Sequence, residues 1–203
     1  VIAADIGSFT LEVGAGVIGI DVLPRNDAPA LVTMTQLAPE FGRSYDAGDI
    51  AVLYGLGAED VIGAPQTVST GTPFCVTRLR SLEALRSARL DVDALRAMQA
   101  RGIDFMEPFL CATDTENGGD TFARLLLPPP FPPEDPFTGS ATGCLAASLF
   151  SNTPIPRAFR AAQGHDIGRP GLAEVEVLGE PDAITGIRVG GAGVVVMRGE
   201  VDI

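Results

Sequence analysis

The chain has 203 residues, of which 26 are acidic and 14 basic, so its formal net charge is −12. Every basic residue apart from the one histidine is an arginine, and the lack of lysine excludes a Schiff-base lysine and the lysine of a phosphate-binding loop. One histidine and three cysteines without ligand spacing exclude a His/Cys zinc site built within one chain, and no metal is expected. The acidic excess argues against a nucleic-acid partner.

The first part of the chain predicts two strands joined by a turn. Alternating apolar residues predict strands over 17–22 and 30–35, on either side of a turn over 24–27. Residues 37–42 break this pattern and indicate a crossover between domains.

The middle of the chain predicts two helices and two paired strands. Ser81 opens the first helix, and the second begins after Asp91 or Asp93 and stops at Gly102. Residues 103–112 and 121–127 predict paired strands around a turn over 114–119.

The last part of the chain predicts strands only. Residues 173–177 alternate strictly, and residues 187–189 and 194–197 predict a hairpin around Gly190-Gly191. Short strands mixed with a few helices indicate an α+β protein.

The segment 128–157 is the most informative part of the sequence. Six of the nine residues from Pro128 to Pro136 are prolines, which excludes a helix there and favours a stiff, extended chain. No charged residue occurs between Asp135 and Arg157. Residues 140–150 therefore predict a helix that is small or apolar on every face, and such a helix must be buried.

The first turn of a buried helix needs partners for its N–H groups, because water cannot reach them all. Thr138, Gly139 and Ser140 lie there, and their amides, together with the helix dipole, form a cradle suited to a carboxylate. Asp135 is then a candidate acid/base or orienting group. A purely structural alternative stays open, in which Thr138 and Ser140 are N-caps and Asp135 caps the same amides.

Four motifs resemble the PhzF-like isomerases, a family named for phenazine biosynthesis. The specific one is EDPFTGSA at residues 134–141, which resembles the family's E-D-P-x-T-G-S-A signature. Residues 163–170 (QGHDIGRP), 188–194 (RVGGAGV) and 10–16 (TLEVGAG) resemble its Q-G-x-x-x-G-R-P, V-x-V-G-G-x-x-V and L-E-T-x-x-G segments. The resemblance covers nearly the whole chain, which looks like the C-terminal two-thirds of a member.

The resemblance implies a diaminopimelate-epimerase-like fold, with two similar lobes that each wrap a curved mixed sheet around a central helix. Residues 1–36 would form part of an incomplete first lobe. Residues 40–185 would form the second lobe, with its central helix near 140–150. Residues 190–203 would return to the first lobe as its C-terminal strand. The active site would lie between the lobes, and the protein would be a homodimer.

The resemblance also implies an isomerase that moves a proton along a conjugated system without metal or cofactor. Asp135 and Ser140 would be the catalytic residues, and Thr138, Gly139 and Ser140 would bind the carboxylate of a small unsaturated substrate. The family's general base is a glutamate of the first lobe, in a segment that would precede Val1. We therefore expect this chain to be part of a longer protein and, as given, to lack that base.

Two alternatives accompany this hypothesis. The chain is a catalytically incomplete protein that binds a small anion or serves as a scaffold, or it is an amino-acid epimerase with a thiol base. The resemblance disfavours the thiol mechanism, because Thr138 stands where the related epimerases have a thiol base. Cys144 lies inside the helix, where packing is expected. His165 is expected to face solvent or to be hydrogen-bonded.

The sequence also limits the compartment. No run approaches the roughly 18 consecutive apolar residues of a membrane span, and residues 1–10 do not resemble a signal peptide. Cys75, Cys111 and Cys144 show no disulfide spacing. Reduced, buried thiols in a cytoplasmic protein without a membrane partner are therefore expected.

Overall fold

The computed structural model describes residues 7–26, 28–114, 118–193, 197 and 199–200. Within these residues, a few helices are interspersed among runs of strands, and the α+β class predicted from the sequence is confirmed. The strands are β1 (Ser8–Val13), β2 (Gly16–Arg25), β3 (Ala28–Gln36), β4 (Glu40–Ser44), β5 (Gln66–Ser69), β6 (Pro73–Arg78), β7 (Pro108–Ala112), β8 (Thr121–Leu126), β9 (Glu134–Asp135), β10 (Ala158–Gln163), β11 (Gly171–Glu180) and β12 (Ala183–Ala192). The helices are α1 (Ala47–Ala51), α2 (Leu82–Ser87), α3 (Val92–Ala100) and α4 (Gly139–Asn152), with short 3-10 turns at Val52–Tyr54, Ala58–Asp60 and His165–Ile167.

All the strands belong to one mixed sheet. Its order is β1-β2-β3-β12-β11-β10-β8-β7-β6-β5-β4, and β9 pairs with β8 beside this path. The pairs β6–β7 and β8–β10 are parallel, and the other pairs are antiparallel. The C-terminal β12 lies between β11 and β3, so it joins the three N-terminal strands to the rest of the sheet.

The helix ends agree with the caps that the sequence predicts. The Ser81 hydroxyl accepts a hydrogen bond from the Ala84 N–H at 3.1 Å and begins α2. The Asp91 carboxylate accepts from the Asp93 and Ala94 N–H groups and begins α3. Gly102, with φ of +87°, follows the end of α3 in a conformation that favours glycine.

The predicted strand pairs are confirmed in two places and wrong in one. β2 pairs with β3 around residues 24–27, and β7 pairs with β8, although residues 27 and 115–117 of the two turns lie outside the described residues. The predicted hairpin at Gly190-Gly191 is wrong, because β12 runs straight through both glycines and pairs them with Thr33 and Val32. A Cβ atom on Gly190 would lie 2.6 Å from the Thr33 Oγ1, so this glycine permits close strand packing. Its predicted second strand, 194–197, falls largely outside the described residues.

The core has two parts, one on each face of the sheet. α4 packs against β5, β6, β7, β11 and β12 on one face. The other core packs α2 and α3 with the short α1, and it includes Cys75. α4 begins one residue before and ends two residues after the predicted range 140–150, and most of it is buried as predicted. Its buried residues are Ala141, Thr142, Gly143, Cys144, Leu145, Ala146, Ala147, Leu149 and Phe150.

The three cysteines are free and buried, as the sequence predicts. Burial raises the pKa of the Cys75 and Cys111 thiols to about 12, so both stay protonated at neutral pH. Among the described residues, no helix has the length and apolarity that crossing a membrane requires.

Candidate functional site

The candidate site is built where the proline segment meets the start of α4. Glu134 and Asp135 form β9, and they pair antiparallel with Leu126 and Leu125 of β8. The chain then turns through Thr138, which precedes the first residue of α4. The backbone of the Glu-Asp motif is therefore fixed by the sheet rather than left in a free loop.

The Asp135 carboxylate is held by a short hydrogen bond within this turn. The Thr138 hydroxyl donates to Asp135 Oδ2 at 2.6 Å. Gln163, which is 1% exposed, holds the same turn from β10: its Oε1 accepts from the Thr138 N–H at 3.0 Å, and its Nε2 donates to the Asp135 carbonyl at 2.8 Å and to Thr138 Oγ1 at 3.2 Å. The turn and the carboxylate therefore have a defined geometry before any ligand binds.

The amides at the start of α4 are not capped. Thr138 makes no side-chain cap, since its hydroxyl donates to Asp135 instead of accepting from the helix. Within the described residues, no hydrogen bond uses the N–H groups of Gly139 and Ser140, and none of the α4 N–H groups donates to Asp135. The capping alternative is therefore wrong, and both N–H groups remain donors for an anion.

Gln36 connects this helix start to β3. Its side chain is buried, with its Nε2 donating to the Gly139 carbonyl at 2.8 Å and its Oε1 accepting from the Thr70 hydroxyl at 2.6 Å. The carboxamide lies against Gly143, where a Cβ atom would lie 2.6 Å from the Gln36 Cδ. The end of β3, the start of α4 and the segment that contains Thr70 are thereby held together around the Gln36 carboxamide.

A cavity of about 400 Å³ opens between β1–β3 and the start of α4. Of the predicted site residues, Ser140 lines the cavity, and Gln36 is also part of its wall. Asp135, Thr138 and Gly139 are not in the cavity wall, although hydrogen bonds connect them to it through Gln36 and the helix start. The wall consists of Val13, Gly14, Ala15, Ile18, Met34, Gln36, Thr70, Gly71, Thr72 and Ser140.

No charged side chain lines this cavity within the described part of the chain. An anion that enters it therefore meets hydroxyl groups, the Gln36 amide and backbone N–H groups instead of an arginine. The positive end of the α4 dipole favours a negative charge at this place. The arrangement suits a small carboxylate.

A buried ion pair supports the motif from the opposite side. Arg124 donates to Glu134 from Nε at 3.1 Å and from Nη2 at 2.7 Å, and the two side chains are only 11% and 7% exposed. The remaining Nη1 donates to the carbonyls of Leu85 and Ala88 at the end of α2. Arg124 therefore ties the Glu-Asp motif to α2 as well as to β8.

The two other sequence candidates, Cys144 and His165, do not have the properties of a catalytic group. The Cys144 thiol lies 3.6 Å from both Thr70 Oγ1 and the Thr72 carbonyl, and burial raises its pKa, which does not suit a thiolate base. His165 packs its ring 5.2 Å from the Phe122 ring, and its buried Nδ1 has no hydrogen-bond partner among the described residues. The expectation that His165 is exposed or hydrogen-bonded is therefore wrong for this atom.

Gln36 and Gln163 are the site residues that sequence reasoning missed. Both are uncharged amides at the last position of an apolar strand, β3 and β10. Gln163 also begins the Q-G motif, and a Cβ atom on Gly164 would collide with the Pro136 carbonyl. For Gln163, a polar residue at the end of a strand just before a motif glycine was the signal available in the sequence. Gln36 is followed by Leu37 and had no such signal.

Comparison with known proteins agrees with the motifs. Residues 3–199 match the model of the phenazine biosynthesis-like (PhzC-PhzF) family. An uncharacterized isomerase of Clostridium acetobutylicum is 30% identical over 93% of this chain and 66% of its own length. The chain thus spans about two thirds of the length of this relative.

Solved structures share the fold. A PhzF-family phenazine biosynthesis protein of Bacillus anthracis superposes with a TM-score of 0.79 at 20% identity, over 98% of this chain and 70% of its own. A hydroxyproline epimerase of Agrobacterium vitis with bound trans-4-hydroxy-L-proline gives a TM-score of 0.59 at 14% identity, over 94% and 58%. The resemblance drawn from the motifs is confirmed, and the chain belongs to the phenazine biosynthesis-like (PhzF) family of isomerases.

Proposed function

We propose that this chain carries the anion-binding half of an isomerase that moves a proton on a small, carboxylated, unsaturated substrate without a cofactor. The observation that carries the proposal is the pair of unbonded N–H groups at Gly139 and Ser140, beside a cavity whose wall has no charged side chain. A carboxylate at the α4 end of that cavity would be held by the N–H of Ser140, which lies in the wall, by the N–H of the preceding Gly139 and by the helix dipole.

Each predicted residue has a role in this proposal. Gly139 and Ser140 bind the substrate carboxylate or a developing oxyanion through their N–H groups, with the Ser140 hydroxyl as a further donor. Asp135 transfers or orients the proton, and its short hydrogen bond from Thr138 holds the carboxylate in one orientation. Thr138 therefore contributes to substrate binding indirectly, by stabilising the turn that holds Asp135.

The substrate class rests on the size and polarity of the cavity. About 400 Å³ is enough for a small ring or an enol with one carboxylate. The apolar wall residues Val13, Ile18 and Met34 favour an unsaturated hydrocarbon part beside the carboxylate. The hydroxyproline epimerase with a similar fold binds trans-4-hydroxy-L-proline, a small ring with one carboxylate, which supports the carboxylated part of this class.

We further propose the division into lobes that the motifs imply, with residues 1–36 and 190–203 in one lobe and 40–185 in the other. The pairing of β12 with β3 supports it, because residues 190–192 join the N-terminal strands. A homodimer is proposed from the family alone. A cytoplasmic location is proposed from the three free, buried thiols.

Deuterium uptake tests the proposed reaction. The full-length protein that contains this chain would be incubated in D2O with a panel of cyclic dienoic acids and amino acids, and substrate mass would be followed. We expect uptake of one deuteron at a carbon next to the conjugated system. Asp135→Asn should slow uptake by about 100-fold or more, because a positioned acid/base group contributes about that much.

Two variants complete the test. Ser140→Ala should slow uptake by about tenfold or more while leaving the fold intact, since it removes one donor to the anion. Asp93→Asn removes a carboxylate of an exposed ion pair with Arg96 and should leave the rate unchanged. Uptake that Asp135→Asn does not reduce would contradict the proposal, and binding without any uptake would favour a non-catalytic anion binder.

A further inference from the structure

A second polar cavity, of about 350 Å³, lies at the opposite end of α4. Its wall includes Ser148 and Asn152 of α4 and Gln66 of β5. Ser140 and Asn152 are twelve residues apart in a helix with a rise of about 1.5 Å per residue, so the two cavities are separated by about 18 Å. The second cavity is therefore outside the proposed active site.

Arg78 is the one charged residue among the described residues that line this cavity. It ends β6 and pairs in register with Cys111 of β7, where its positive charge lowers a thiol pKa that burial raises to about 12. No hydrogen bond or ion pair of the described residues uses its guanidinium, and its Nε is buried without a partner. An arginine in this state is unusual, because buried donors are normally hydrogen-bonded.

The end of α4 does not supply the missing partner. The Ser148 carbonyl accepts from the Asn152 side chain at 2.8 Å, and the Leu149 carbonyl accepts from both the N–H and the hydroxyl of Thr153. These side chains occupy carbonyls that a nearby guanidinium would otherwise use. Arg78 is therefore not explained as a helix C-terminal partner.

We infer that the cavity around Arg78 is a second binding site, which takes a small organic monocarboxylate. The guanidinium fork matches the two oxygens of a carboxylate, and the hydroxyls of Ser44 and Ser148 and the amide of Gln66 supply neutral hydrogen-bonding groups around it. The wall carries one positive charge and no negative charge, so it balances a ligand with a single negative charge. This favours a monocarboxylate over a phosphate dianion. The inference does not depend on the proposed isomerase reaction.

Chemical-shift titration of the full chain with sodium acetate at constant ionic strength tests this site. We expect saturable shifts at the backbone amides of Gln66 and Ser148, separate from any shifts at Gly139 and Ser140 in the other cavity. Arg78→Gln should weaken the first set at least tenfold. Arg80→Gln is the matched control: it removes the same charge from an exposed arginine outside the cavity and should change acetate affinity less than twofold.

Three outcomes would overturn the inference. They are shifts at Gln66 and Ser148 that do not saturate, an unchanged affinity in Arg78→Gln, and displacement of acetate by inorganic phosphate at equal concentration. If Arg78→Gln does not fold, Arg78→Lys keeps the charge and decides the question. Its compact ammonium lacks the planar fork, so acetate should bind several times more weakly, and equal binding would reject the site.

Discussion

Gln36 is buried at the end of β3. Its carboxamide lies so close to Gly143 that a Cβ atom added there would collide with it. Two hydrogen bonds, from Nε2 to the Gly139 carbonyl and from the Thr70 hydroxyl to Oε1, fix that position. Because Gly139 begins α4, this side chain helps to set the orientation of the anion-binding amides, together with Gln163 in the preceding turn. Gln36 is thus a positioning residue rather than a catalytic one.

Gly143→Ala tests this dependence through stability. In most helix interiors, alanine is more stable than glycine by up to about 1 kcal/mol. Here the new methyl group would displace Gln36 and break both hydrogen bonds inside the core, at about 1 kcal/mol each or more. Urea denaturation should therefore show a net loss of about 1–2 kcal/mol in the free energy of unfolding.

The control is the double variant Gln36→Ala, Gly143→Ala, which removes the collision. Its loss should be smaller than the sum of the two single losses, because residues in contact are not additive. A stabilised Gly143→Ala protein would contradict the role assigned to Gln36.

At the scale of elements, α4 was predictable and its partners were not. Residues 140–150 are apolar on every face, so burial follows from composition alone. Gln36 and Gln163 are separated from α4 in sequence, and only the sheet order brings them to its first turn. The hairpin error at Gly190-Gly191 has a similar cause, since a glycine pair that permits close strand packing has the same sequence pattern as a turn.

The Arg124–Glu134 pair is a buried link between elements, and we expect it to be sensitive to substitution. Arg124→Met would leave Glu134 buried without its partner, and removing one member of a buried pair costs about 3–5 kcal/mol. We expect the free energy of unfolding in urea to fall by about 3 kcal/mol. The same variant should also slow the proposed reaction, because Glu134 precedes Asp135 in β9.

Arg188→Met is the matched control for this pair. Arg188 pairs with Glu176 on the sheet surface, where the two side chains are 46% and 44% exposed, and such pairs contribute about 1 kcal/mol or less. Equal losses in Arg124→Met and Arg188→Met would show that the buried pair does not hold the motif.

At the scale of the whole molecule, the sheet is covered unevenly. α4 covers the face that carries Ile187 and Val189, and the register continues that face across β3 and β2 to β1. There the apolar side chains are open to solvent, with Leu11 46%, Val13 43% and Val32 40% exposed. β1 is also an edge strand, with a partner on one side only within the described residues.

An exposed apolar face beside a sheet edge favours association, because burying apolar surface is favourable and the edge has unpaired backbone groups. We expect residues 1–203 to associate with themselves as concentration rises, as seen by sedimentation velocity. The double variant Leu11→Lys, Val32→Lys should shift the weight-average mass toward the monomer. Val52→Lys adds the same charge at a 59% exposed valine near α1, away from this face, and should leave association unchanged. A wild-type chain that stays monomeric throughout, or a Val52→Lys protein that dissociates equally, would show that this face does not drive assembly.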